Sequence, residues 1–246
     1  MSSVAQPVVI LGGFLSYPGI YQGMSEVLAQ ITGQRVWVVQ AWPFDWLCSV
    51  APAGWAHLLR KLERTVQRAV RDSKTTKITL VGHSSGGVMA RLYLSPRPFL
   101  GHVYGGLNNV TQLITLGSPH YNQRGARMRR WVEQQYPGAY FAPQIQYASV
   151  AGKAVRGDRD GSLRERWAYY CYERLGGEGG AWGDGLVPIA SALLRGSHQA
   201  VLDGVSHFTG FGGPWYGMKE IVPRWWNACV RPNEQSEGKS VAKNHT

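Results

Sequence analysis

The sequence predicts a doubly wound α/β domain: a mostly parallel sheet of about six strands with helices on both faces. Three observations carry that expectation. Short apolar, β-branched runs recur along the chain, most of them are followed by a stretch with helical spacing, and the runs are continuously apolar, as strands covered on both faces are. The chain has 246 residues, 44% of them hydrophobic, which suits one compact domain over residues 1–232.

The elements follow in order. Val8–Leu11 is the first strand, and Gly12-Gly13 behind it permit a tight turn before a helix over Tyr21–Ile31. Val36–Val39 is the second strand, with a long helix at Ala56–Arg71. Ile78–Val81 is the third, leading through Gly82-His83-Ser84-Ser85-Gly86 into a helix at Gly87–Leu94. Leu113–Leu116 and Ile145–Val150 supply two more strands, separated by a helix at Ala126–Gln135. The last strand is Ala200–Leu202 and the last helix Met218–Cys229. Between Lys153 and Trp182 the chain carries Gly, Arg, Tyr and Trp without clear period, which reads as a cap-like insertion over residues 153–182. The polar tail, residues 233–246, reads as disordered.

The composition narrows the class. Three scattered cysteines, Cys48, Cys171 and Cys229, make neither a disulfide framework nor a zinc site. No basic, apolar, cleavable leader opens the chain and no apolar run is long enough to span a bilayer. The expectation is a cytoplasmic protein, with peripheral attachment to an internal membrane left open. A net charge of +11 favours anionic surfaces, but the charge is spread. Arg60, Arg64 and Arg68 recur every fourth residue on one helix and read as its solvated face; Arg124, Arg127, Arg129 and Arg130 form a second group. No zinc-finger spacing or RNA-binding aromatic pattern accompanies them, so nucleic acid is not an expected partner.

The chemistry points to Ser84. Gly82-x-Ser84-x-Gly86 sits between a strand and a helix, the setting in which a nucleophilic serine occupies a strained turn and glycines two residues away avoid collision. Ser85 lacks glycines at both offsets. A serine needs a base, and the base an orienting carboxylate, in the chain order Ser, Asp or Glu, His. His207 falls just after the last strand, at the edge where open α/β sheets bind ligands; His198 opens that strand instead. Asp184, between Gly183 and Gly185, is the favoured acid. Asp203 is its rival, and Asp158 and Asp160 lie within the aperiodic segment. The amides of Phe14 and Ser85 are the candidate oxyanion donors.

These residues resemble those of the lipase-like serine hydrolases of the α/β-hydrolase superfamily. Gly82-His83-Ser84-Ser85-Gly86-Gly87 is similar to the lipase elbow, Leu116-Gly-Ser-Pro-His to the lipase "LGxPH" stretch, and Gly183-Asp-Gly-Leu-Val-Pro to the segment supplying the acid. More narrowly, "GGFLSYPGIY", "GHSSGGVMARLYL", "WGDGLVP", "DGVSH" and "PWYG" resemble a lipase-like branch of cyanobacteria and plant plastids. Gly12-Gly13 replaces the His-Gly of many lipases, the first strands of larger members are missing, and no separate lid domain is visible. The resemblance implies hydrolysis of a carboxylic ester through an acyl-enzyme, with Ser84 as nucleophile, His207 as base and Asp184 as its partner. It implies no metal and no organic cofactor, and substrate contacts at Gly13, Leu15, His83, Trp182 and Leu186. The expected substrate is an acyl lipid, reached through Trp167, Tyr169, Tyr170, Tyr172 and Trp182 and a basic surface on an anionic membrane. An esterase or thioesterase for a small soluble substrate, and a non-catalytic ligand-binding protein on the same fold, are the alternatives; oligomeric state is left open.

Overall fold

The computed structural model describes residues 6–121, 124 and 127–230. The expected disordered tail, residues 233–246, and the first residue of the helix expected at Ala126 lie outside them.

Six strands form one parallel sheet: β1 (Val8–Leu11), β2 (Val36–Val38), β3 (Ile78–His83), β4 (Val110–Leu116), β5 (Gln146–Lys153) and, further along the chain, a last strand at His198–Asp203. The spatial order is β2-β1-β3-β4-β5-last, with every neighbouring pair parallel. The first crossovers run toward one edge and the later ones toward the other, so the order reverses beside β1 and β3. Parallel strands need long crossovers, and helices supply them: α1 (Gln22–Thr32), α2 (Pro43–Leu47), α3 (Pro52–Asp72), α4 (Ser85–Tyr93), α5 (Gly106–Asn109) and α6 (Arg127–Gln135).

The alternation of side chains across each strand divides the core in two. Val9, Leu11, Leu80 and Leu113 pack on one face with Leu58, Leu62 and Val66 of α3 and Val88 and Leu92 of α4. Val8, Ile10, Val81 and Ile114 pack on the other with Met24 and Leu28 of α1. Each buried Leu or Ile contributes about 1.5–3 kcal/mol relative to exposure, so both faces must be covered. Arg60, Arg64 and Arg68 lie on the exposed side of α3, the solvated face their spacing predicts.

The segment read as aperiodic is ordered. After β5 come β6 (Val155–Arg156), α7 (Leu163–Gly176) and β7 (Trp182–Gly183), then α8 (Ile189–Ala192) and the last strand, now β8, with β6 and β7 paired antiparallel. The N-terminus of α7 is a capping box: the Glu165 amide donates to Ser162 Oγ, and Glu165 Oε2 accepts from the Ser162 amide at 2.8 Å. Gly177 ends the helix at φ 80°. Periodicity missed this helix because it buries only Ala168 and Tyr172, too narrow a stripe among flanking aromatics. The final helix, α9 (Val222–Val230), starts four residues later than expected and packs with α1 on the second face. Among the described residues, no helix is long and apolar enough to cross a membrane.

Candidate active site

Ser84 joins β3 to α4 with φ 53° and ψ −127°, a conformation that costs a side-chain-bearing residue about 1–3 kcal/mol. The flanking glycines are steric requirements. A Cβ on Gly82 would lie 2.5 Å from Gly87 Cα, and one on Gly86 would lie 2.2 Å from the Gly12 carbonyl oxygen. The Ser84 amide donates to Leu116 at 2.9 Å, anchoring the turn to β4.

His207 follows β8 and reaches the serine from the opposite side. Its Nε2 lies 2.9 Å from Ser84 Oγ, and its Nδ1 lies 2.7 Å from Asp184 Oδ2. The His207 amide also donates to the Asp184 carbonyl at 2.8 Å, so backbone and side chain fix one orientation. Ser84, His207 and Asp184 therefore form one unbroken row of hydrogen bonds, with the imidazole and carboxylate buried.

Four donors hold the Asp184 carboxylate. Oδ1 accepts from the amides of Leu186 at 3.0 Å and Val187 at 2.8 Å; Oδ2 accepts from His207 and from the Tyr216 hydroxyl at 3.0 Å. Tyr216 in turn accepts from the Gly152 amide at 2.6 Å. Burial, reinforced by the Asp184 charge, pushes the Tyr216 phenol well above its ordinary range, so it stays a donor. Gly117, at φ 52°, leaves room for the carboxylate: a Cβ there would lie 2.5 Å from Asp184 Oδ2.

The glycine loop after β1 lies against Ser84, since a Cβ on Gly13 would sit 2.7 Å from Ser84 Cβ. The Gly13 amide is spent on the Tyr21 hydroxyl at 2.9 Å. Among the described residues, neither the Phe14 nor the Ser85 amide donates a hydrogen bond. Leu15, at φ 61° and 47% exposed, opens outward. Leu186 is half-buried and serves the acid through its amide. Trp182 is exposed, with Lys153 Nζ 5.4 Å from its ring centroid.

His83, expected at the substrate, is instead buried behind the row. Its Nδ1 lies 2.9 Å from the Tyr21 hydroxyl, and its ring is 4.8 Å from that of His207. Burial first, and then the neighbouring His207 charge, hold its pKa well below the ordinary value, against a smaller pull from the His207 backbone. A neutral His83 leaves a positive charge on His207 without a like-charged neighbour. The rival acids are elsewhere: Asp203 is exposed and pairs with Lys153 at 3.5 Å, and Asp158 and Asp160 share an exposed turn. His198 is exposed at the start of β8. Of the aromatic set in the insertion, Trp167 and Tyr170 are exposed, while Tyr172 is buried and accepts from the Gly185 amide at 2.8 Å.

Three residues of the site carried no expectation: Tyr21, Tyr216 and Arg129, whose Nη2 donates to Ser85 Oγ at 3.0 Å. Tyr21 ends "GGFLSYPGIY" and Tyr216 sits in "PWYG", so both were inside motifs whose physical purpose only the folded contacts reveal.

The family described as PGAP1-like alpha/beta domain matches residues 56–133, a span from α3 to α6 that holds the Ser84 turn but neither Asp184 nor His207. No curated protein matches the chain. Among solved structures, the mature form of the Bacillus licheniformis lipase BlEst2 superposes with a TM-score of 0.59 at 16% identity, covering 85% of this chain and 88% of that one. The lin2722 gene product of Listeria innocua superposes with a TM-score of 0.50 at 13% identity, covering 92% and 94%.

Proposed function

We propose that this chain, which has the α/β-hydrolase fold, is a serine hydrolase that cleaves the carboxylic esters of acyl lipids. The single observation carrying the reading is the continuous Ser84–His207–Asp184 row, ending on a serine whose backbone is strained at φ 53°.

The hydrogen bonds define the proton traffic. With Nδ1–H donated to Asp184, the Nε2 lone pair of His207 accepts the Ser84 proton as Oγ attacks the ester carbonyl. The carbonyl oxygen becomes an oxyanion, for which the unspent Phe14 and Ser85 amides are the donors; one such donor is worth about 3–4 kcal/mol. His207 returns the proton to the leaving alcohol, leaving Ser84 acylated. Water then gives a proton to His207 and attacks the acyl carbon; the acyl C–Oγ bond breaks, His207 returns the proton to Ser84 Oγ and the acid leaves. Asp184, held by Leu186, Val187 and Tyr216, keeps the tautomer and stabilises the imidazolium.

The lipid reading is supported by what surrounds the serine. The segments that follow β1 and β2, α2 included, expose Phe14, Leu15, Tyr17, Trp42, Phe44 and Leu47, with Tyr17 stacked on Trp42 at 6.5 Å. Exposed apolar surface of this kind beside a reactive group marks an interaction site, and the net charge of +11 favours an anionic membrane as the surface that presents the ester. The similar Bacillus protein is named a lipase. Labelling with a fluorophosphonate and assaying acyl esters of increasing chain length tests this. Covalent capture of Ser84 and turnover that persists with long chains are expected, with a loss of about 10³-fold or more in Ser84→Ala. Turnover confined to short chains rejects the lipid, and an unlabelled Ser84 rejects the enzyme.

A further inference from the structure

Two arginines near α4 differ in how their charge is met. Arg91, 1% exposed, pairs with Glu133 Oε2 at 2.6 Å and also donates to the Tyr136 carbonyl. Arg129, four residues before Glu133 on α6, is half-buried and donates to the Ser85 hydroxyl at 3.0 Å. Among the described residues it has no carboxylate partner: Glu133 is held by Arg91 and lies 3.6 Å from Arg195. Burial lowers the Arg129 pKa from its ordinary value.

Withdrawing a guanidinium from water without a counter-charge is costly, and a folded chain meets such a charge in another way. Among the described residues the Ser85 hydroxyl is the acceptor Arg129 meets, and a five-donor fork has further N–H groups to offer to water or to a ligand. Its position is the telling feature. Ser85 follows the proposed nucleophile in the chain and supplies one of the two proposed oxyanion amides, so the guanidinium contacts a residue of the proposed site. Planar forks of this kind favour phosphate and carboxylate oxygens.

We infer that Arg129 is a specificity-determining residue that binds an anionic oxyacid group, a phosphate ester, carried by the substrate close to its scissile acyl ester. This rests on the ester-hydrolase reading and narrows it to acyl lipids with a phosphate near the acylated hydroxyl.

The test is a matched pair of substrates, a 1-acylglycerol and the same 1-acylglycerol bearing a 3-phosphate, given to the full chain and to Arg129→Met and Arg129→Lys. The wild type should favour the phosphorylated ester in kcat/KM by at least about tenfold. Arg129→Met should erase that ratio through KM, with Arg129→Lys keeping part of it. A wild type without the preference, a ratio unmoved by Arg129→Met, or losses confined to kcat for both esters would overturn the proposal, the last marking an oxyanion role instead. Calorimetric binding of the same two lipids to Ser84→Ala, with and without Arg129→Met, needs no turnover. Arg129-dependent binding of the phosphorylated lipid without hydrolysis by the wild type would keep the subsite and reject the ester reaction. Glycerol 3-phosphate is the third ligand: binding as tight as that of the acylated form keeps the subsite and moves its ligand from a lipid headgroup to a free phosphate ester.

Discussion

The Ser84 turn and the Asp184 turn present two groups of one hydrogen-bonded row by unlike means. Ser84 is held by its own backbone: a left-handed φ, glycines two residues either side, and a neighbouring loop so close that any Cβ on Gly86 would strike Gly12. Asp184 is held by what surrounds it: the amides of Leu186 and Val187, the His207 ring, and the Tyr216 hydroxyl that is itself fastened to Gly152. One device is steric and rests on the residues of the turn and the loop after β1. The other is polar and gathers parts from β5, β7 and the chain beyond β8. A serine proposed to attack a substrate must stay accessible, so its backbone has to fix it; the carboxylate is buried, so donors can, and must, surround it.

Breaking the polar device at its centre should have the largest effect. Asp184→Asn removes the acceptor that selects the His207 tautomer, and kcat should fall by about 10⁴-fold, the loss seen for the same change in a serine-histidine-aspartate template. Asp203→Asn, its exposed counterpart, should leave kcat within about twofold, since an exposed ion pair contributes little; a large loss there would transfer the role of acid. Breaking the steric device is a matter of stability. Gly86→Ala forces a Cβ into backbone and should lower stability by about 3 kcal/mol, read as a fall in Tm and in soluble yield.

A smaller effect separates the donors around Asp184. Tyr216→Phe keeps the ring but strands the Gly152 amide and removes one bond from the carboxylate, which should cost about 1–3 kcal/mol of stability and lower kcat with little change in KM. An unaltered Tm and kcat would show that the two amides and His207 suffice.

The gentlest probe is pH. His83 and His120 are both buried with pKa values held well below the ordinary 6.5, the first by burial and the His207 charge, the second by burial and Arg91. The unfolded chain therefore binds more protons below pH 6.5, and stability rises with pH in that range. The contribution is complete above pH 6.5 and erodes as the pH drops, by at most about 1.4 kcal/mol per pH unit per imidazole. Tm measured from pH 7.5 to pH 5 should fall, and His120→Asn should flatten the slope; a flat wild-type profile would remove both imidazoles from the account.

Legibility in the sequence followed the same division. The nucleophile turn, the six strands and most helices stand within a few residues of where their patterns predict them, because apolar runs and glycine spacing act over short range. Asp184 and His207 were expected through chain order and strand ends, a statement about topology, and their side chains meet at 2.7 Å. Tyr216, Tyr21 and Arg129 had no local signature: nothing in the spacing of residues 129 and 85, or 216 and 184, says that they touch. The placement of His83 makes the same point. Its place beside Ser84 suggested contact with a ligand, but a strand turns successive side chains to opposite faces, and this one went behind the sheet's rim to Tyr21. Helix α7 was hidden by its narrow buried stripe, although Ser162, Glu165 and Gly177 mark both of its ends.

What the sequence determined by itself is the alternation of buried strands and covering helices and the strained serine between glycines, since periodicity and excluded volume are properties of neighbouring residues. What only the tertiary structure decided is the polar setting of the row: which tyrosine donates to Asp184, which histidine stays neutral, and which arginine meets the Ser85 hydroxyl. Those outcomes depend on burial and on partners more than 30 residues away, and electrostatic energy in a protein interior is set by what surrounds a group in space.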